Sequence, residues 1–133
     1  VDTMIRLLND NDNLNVVSNQ IGSPTNANDL ASAIMIIVNT KKFCTINQNS
    51  DIFHYSNDGE CSWYEFAKEI AKILGTKCII NPIHSKNYPQ EALRPERVLM
   101  SKKKIIDSFD LNIVFWKDSL QNCIKNISNL PNL

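Results

Sequence analysis

The chain has 133 residues, 43% of them hydrophobic, and its 14 basic side chains balance 14 acidic ones. That length supports one compact domain with a modest core and not two independent ones. The even charge excludes the footprint of a nucleic-acid binder or a polybasic membrane-surface protein, and the longest apolar run, Ile34 to Val38, is far below the roughly 18 residues that span a bilayer.

Val1 to Leu8 already carries helical apolar spacing at Met4, Ile5 and Leu8, without a cap or an initiating methionine, so the chain reads as a segment of a longer protein. Asn9 to Asn13 is a polar turn, and Leu14 to Val17 is a short strand. It leads into Gln20-Ile21-Gly22-Ser23-Pro24-Thr25, a loop shaped by Gly22 and Pro24. A second helix is expected from Ala27–Asp29 to about Val38, with Leu30, Ile34 and Ile37 on one face and Asp29 at the positive end of the dipole. Thr40 to Asp51 is polar linker.

Ile52 to Tyr55 alternates like a strand, and Ser56 to Gly59 is a turn. Ser62 and Glu65 have capping-box spacing. From there Trp63, Phe66, Ala67, Ile70, Ala71 and Leu74 recur at helical intervals until Gly75 stops the helix. Cys78 to Ile80 is a brief strand closed by Pro82, and His84 to Pro95 is a long loop. Ser101 caps a short helix through Ile106, and a last helix from Phe115 to Ile127 places Trp116, Leu120, Cys123, Ile124 and Ile127 on one stripe before the chain frays at Asn129 to Leu133. These elements predict an α+β fold: a small mixed domain, residues 1–133, of four or five helices with short strands.

Three glycines, Gly22, Gly59 and Gly75, are too few and too scattered for a Gly-rich phosphate loop. Tyr64 and Lys68 have the Tyr-x-x-x-Lys spacing of short-chain dehydrogenases, but they fall on the first turns of an amphipathic helix with no dinucleotide loop upstream. They are read as a solvated pair flanking the core stripe. His54 and His84 have no ligand-spaced companions. Cys44, Cys61, Cys78 and Cys123 are too dispersed for a zinc or redox motif and read as reduced, buried thiols of a cytoplasmic protein. Two loops suit an anionic, sugar-like ligand. Gln20 to Thr25 offers amide, hydroxyl and backbone donors, and Arg94, followed by Pro95, can present a planar fork to a phosphate.

In order along the chain, Gln20-Ile21-Gly22-Ser23-Pro24-Thr25, Asp29-Leu30-Ala31, His54-Tyr55-Ser56-Asn57, Gly59 to Ala67, Tyr88-Pro89, Arg94-Pro95, Lys104 and Trp116-Lys117 resemble the C-terminal part of the dTDP-4-dehydrorhamnose reductases. Those enzymes belong to the extended short-chain dehydrogenases and reduce dTDP-4-dehydro-6-deoxy-L-mannose to dTDP-L-rhamnose with NADPH. The resemblance implies that Gln20, Gly22, Ser23, Pro24 and Thr25 line the sugar-nucleotide cleft and that Arg94 contacts the diphosphate. It assigns no catalytic, cofactor or metal residue to this chain. NADPH and the catalytic Tyr/Lys belong to an N-terminal Rossmann half, so this chain alone is not expected to catalyse the reduction. Asn19, Val98 and Ser101 depart from the family pattern. The resemblance implies as partners a dTDP-sugar and that Rossmann half, and leaves open a homodimer. A non-catalytic regulatory or partner-binding module of the same superfamily is the competing reading.

Overall fold

The computed structural model of the chain describes residues 1–41, 51–88 and 94–128. In chain order these form α1 (Asp2–Asp10), β1 (Asn13–Val17), β2 (Ile21–Gly22), α2 (Ala27–Asn39), β3 (Cys61–Ser62), α3 (Trp63–Leu74), β4 (Ile79–Ile83), a 3₁₀ turn at Ser85–Asn87, α4 (Lys103–Phe109) and α5 (Trp116–Ser128). The described residues thus have the mixed helix and short-strand composition expected of an α+β domain. The linker residues 42–50, the loop residues 89–93 and the C-terminal 129–133 lie outside them.

Helix α3 organises the main core. Ser62 Oγ accepts from the Glu65 amide at 3.1 Å and the Glu65 carboxylate accepts from the Ser62 amide at 2.7 Å, so two N-terminal donors are satisfied reciprocally. These hydrogen bonds hold the Glu65 carboxyl below the usual glutamate range. At the other end Gly75 takes the left-handed conformation, φ 67°. Between the caps, Ala67 and Ile70 are fully buried, and Ile70 packs with Leu8 of α1, Cys61 of β3 and Trp116, Leu120 and Ile124 of α5. Burying a side chain such as Ile70 contributes about 1.5–3 kcal/mol. Trp63 does not join this stripe: it stands 56% exposed at the first turn, where the helix reaches the edge of the core.

A second, smaller core gathers Ala33 of α2, Ile105 and Phe109 of α4, and Leu111. Phe53 tilts onto Phe109 with ring centroids 5.2 Å apart. The buried line of α2 runs through Ala33, with Ile37 beside it, while Ile34, Met35, Ile36 and Val38 remain exposed. Of the expected Leu30–Ile34–Ile37 face, Leu30 and Ile37 are half-buried while Ile34 is exposed, and Ala33 takes the buried position in the second core. Helix α4 runs on to Phe109, past the expected end at Ile106, and Asp110 ends it in the left-handed region, φ 53°. Ser101 Oγ accepts from the Lys103 amide at 3.4 Å, just before the helix.

Strands β1 and β4 pair in parallel, with Val16 opposite Pro82. Pro82 was expected to close the strand, yet β4 continues through it to Ile83. Ile79 N donates to Asp12 O and Ser18 N donates to Ile83 O, so odd-numbered residues of β4 face β1. The N–H that proline lacks falls on the open side, where no ladder bond is lost. Ile52 to Tyr55, in contrast, is not a strand. Its period of two is real in burial, with Phe53 and Tyr55 half-buried and Ile52 and His54 exposed, but Phe53 and Tyr55 pack on the second core and the backbone has no sheet partner among the described residues.

Candidate functional site

Strand β2 is the spine of the site. On one edge Ile21 and Gly22 pair antiparallel with Ser62 and Cys61 of β3. On the other, Ile21 N donates to Glu96 O at 2.7 Å and Val98 N donates to Ile21 O at 3.0 Å, forming a parallel bridge to Arg97. The chain from Arg94 to Val98 is thereby laid beside the Gln20–Thr25 bend. The structure brings together every residue singled out in the sequence: Gln20, Gly22, Ser23, Pro24, Thr25 and Arg94 line one cleft of about 480 Å³. Ile21, Cys61, Ser62, Trp63, Phe66, Pro95 and Val98 complete much of its wall.

The bend is fixed by buried polar contacts. Ser23 Oγ donates to Gly59 O at 2.8 Å, and Asn57 N donates to Pro24 O at 3.1 Å. The Asn57 side chain, 1% exposed, accepts from Asn26 N at 2.7 Å and donates to Asp29 Oδ2 at 2.5 Å and to Val114 O at 3.2 Å. Ser119 Oγ donates to the same Asp29 oxygen, and Asn26 Nδ2 donates to Ser119 Oγ at 2.9 Å. Lys102 Nζ closes the group by donating to Asn57 O and to Asp58, whose carboxyl it holds below the usual aspartate range. Asp29 is therefore more than a favourable charge at the start of α2. It joins the Gln20–Thr25 bend to α5.

Gly59 makes this arrangement possible. It takes φ 84°, and a Cβ there would lie 2.9 Å from the Trp116 ring and overlap the Phe115 ring. Gly22 has a different character: it is a strand residue with negative φ, and a Cβ would meet only Val98 O at 3.7 Å.

Charge is distributed unevenly along the Arg94 side. Arg97 Nη2 donates to both Glu60 carboxylate oxygens, at 3.1 and 2.7 Å, whereas Arg94 has no acidic partner among the described residues. Its guanidinium is left available to an anion in the cleft. Asn19 accepts from Ser85 N at 2.8 Å and its Nδ2 donates to Ser85 Oγ and Glu96 Oε1, both at 3.0 Å. A carboxylate at position 19 could accept but would repel Glu96, which accounts for an amide there.

Cys61 is the thiol on the cleft wall. Burial, with the nearby Glu65 charge, pushes its pKa up to about 11, so it is protonated at neutral pH and is no nucleophile. Tyr64 and Lys68 do not line the cleft; Lys68 Nζ lies 5.4 Å from the Tyr64 ring centroid, at the surface of α3.

Residues 1–129 match the family described as the RmlD substrate binding domain. The chain belongs to that family. This RmlD substrate binding domain is 33% identical over 128 residues to a dTDP-4-dehydrorhamnose reductase of Sinorhizobium fredii, covering 93% of this chain and 43% of that protein. It is 32% identical to the spore coat polysaccharide biosynthesis protein SpsK of Bacillus subtilis, covering 97% of this chain and 42% of SpsK. Among solved structures, a dTDP-4-dehydrorhamnose reductase from Clostridium acetobutylicum superposes with a TM-score of 0.82 at 30% identity, over 96% of this chain and 43% of its own. The Bacillus anthracis enzyme, solved with NADP, gives 0.83 at 30% identity, over 94% and 42%. The domain thus spans less than half the length of these relatives.

Gly22 lies in β2, Gly59 against Phe115 and Gly75 at the end of α3, so the domain's three glycines do not gather in one loop.

Sequence reasoning misses two participants: it puts Trp63 on the core stripe of α3 and reads Asn57 as part of a turn, whereas Phe66 packs on the main core as expected and also reaches the cleft wall. The signal for Asn57 was its place in the His54–Asn57 block that carried the resemblance.

Proposed function

We propose that this chain is the nucleotide-sugar-binding domain of a dTDP-4-dehydrorhamnose reductase in the pathway to dTDP-L-rhamnose, working in the cytoplasm with a Rossmann half that binds NADPH and carries the catalytic Tyr/Lys. The shared cleft carries this reading, because a guanidinium without an acidic partner among the described residues and a hydroxyl-bearing bend line one ligand-sized space. Arg94 grips the diphosphate through its planar fork. Gln20, Ser23 and Thr25 offer hydrogen bonds to the sugar and nucleoside, while Gly22 and Pro24 keep the wall low and stiff. Hydride transfer is assigned to no residue of this chain; its contribution is binding and orientation.

Calorimetric titration with dTDP tests this. The wild-type chain should bind, and Arg94→Ala should lose about 1.5–3 kcal/mol, the value of a hydrogen bond to a charged group, with an unchanged circular dichroism spectrum. Arg94→Lys should recover only part, since an ammonium cannot bind two oxygens in parallel. Equal affinities for wild type and Arg94→Ala would remove Arg94 from the site, and absence of any dTDP binding by the wild type would sink the function itself.

A further inference from the structure

Helix α2 carries a second apolar face beside the one it buries. Ala33 and Ile37 turn towards the second core, with Leu30 half-buried on the same side. At 3.6 residues per turn, Ala27, Ala31, Ile34, Met35 and Val38 fall within about 100° of one another on an adjacent side. All five are exposed, Ile34, Met35 and Val38 by 48, 58 and 47%. None of them lines the cleft. Asp29 is the one ionisable residue of the helix, and its carboxylate already accepts from Asn57 and Ser119. The open side is therefore a continuous apolar stripe without a charge, the kind of surface that marks an interaction site.

The stripe is also graded in size. Its N-terminal half is Ala27 and Ala31, and its C-terminal half is Ile34, Met35 and Val38. A two-fold axis through its midpoint, level with Ser32 and Ala33, sets Ala27 against Val38 and Ala31 against Ile34 of a second copy, each pair twice. Small then meets large at every contact, which lets two helices approach closely and interdigitate. A parallel pair would set Ala27 on Ala27 and Val38 on Val38, tight at one end and open at the other. A charged partner surface would be desolvated here without compensation, whereas a second copy brings no charge. We infer that two copies of the chain associate through α2, antiparallel about this axis. The inference does not depend on the nucleotide-sugar reading, since no cleft residue takes part.

A stripe of this length gives an interface at the low end of the specific range, about 1,000 Å² in total, so a Kd on the order of 10–100 µM is expected. Sedimentation velocity on the wild-type chain over about 5–500 µM should show monomer passing to dimer and no larger species. Ile34→Lys and Ala31→Glu should each weaken the dimer at least about tenfold, because each buries an unpaired charge twice across the axis. Both positions are exposed in the single chain, so circular dichroism should be unchanged. An equimolar mixture of the two variants should dimerise more strongly than either alone. In the mixed pair the introduced carboxylate faces the introduced ammonium, and the other contact is the native Ala31 with Ile34.

A wild-type chain that stays monomeric at about 500 µM overturns the proposal and leaves the stripe to another partner, such as the remainder of a longer protein. Species larger than a dimer overturn it equally, since a two-fold contact closes on itself. A dimer that neither substitution weakens lies on another surface. Folded, monomeric variants that fail to recover in the mixture overturn the antiparallel register. Should either variant not fold, Ala27→Glu mixed with Val38→Lys puts the same question to the outer contact.

Discussion

On one side of the cleft the Ser23–Asn26 bend is anchored by Asn57, Asp29 and Ser119, all joined by short hydrogen bonds out of solvent. On the other side Arg94 and Pro95 hang from two backbone bonds at Ile21 and from the solvent-exposed pair of Arg97 with Glu60. The first wall is over-determined: each member satisfies more than one neighbour, so losing one removes several hydrogen bonds at once. The second wall is held at a strand edge by groups that water can replace. The proposed nucleotide sugar would meet a preformed surface on one side and an adjustable cation on the other, lowering the ordering cost on the first and letting the second fit the phosphates.

The sharpest way to break this contrast is Gly59→Ala. Left-handed backbone for a non-glycine costs about 1–2 kcal/mol and overpacking adds about 1–3, so a loss of about 2–5 kcal/mol in urea unfolding is expected. A loss under about 1 kcal/mol would show that the Phe115–Trp116 segment yields easily and that the anchored wall is not rigid.

Next in size is Asn57→Ala. It leaves the Asn26 amide without its acceptor and removes one of two donors each from Asp29 Oδ2 and Val114 O, and should cost about 2–3 kcal/mol of stability and weaken dTDP binding, by calorimetry, through the loosened bend. Stability preserved within about 0.5 kcal/mol would put the two walls on a par. The smallest effect belongs to Arg97→Met: an exposed pair of this kind is worth about 0.2–1 kcal/mol, so urea unfolding at low and high salt should scarcely separate variant from wild type.

Features written into short stretches of chain were legible in advance. The Ser62/Glu65 capping box, the Gly75 stop and the stripe through Ala67 and Ile70 each depend on neighbours within a few positions, and α3 follows from them. Likewise, the donors of Gln20 to Thr25 and the fork of Arg94 suggest an anion site by chemistry alone, and the structure places both on one cleft. What escaped was decided by distant partners. Ile52 to Tyr55 alternates as a strand should, but no ladder reaches it. Trp63 has the right phase for the core stripe, yet sits one turn beyond the core's edge. Asn57 reads as a turn residue, because nothing near it in sequence reveals that Asp29 and Val114 will close around it.

Pro82 carries one more consequence. Isolated strand edges invite recruitment by a second chain through backbone pairing, the first step toward fibrils. The outward-facing position that Pro82 occupies in β4 has no amide hydrogen to offer, so an incoming strand would meet a gap in its ladder at the fourth residue of a five-residue edge. A single imino acid thus leaves the β1–β4 pair intact while guarding the molecule against polymerisation along that edge.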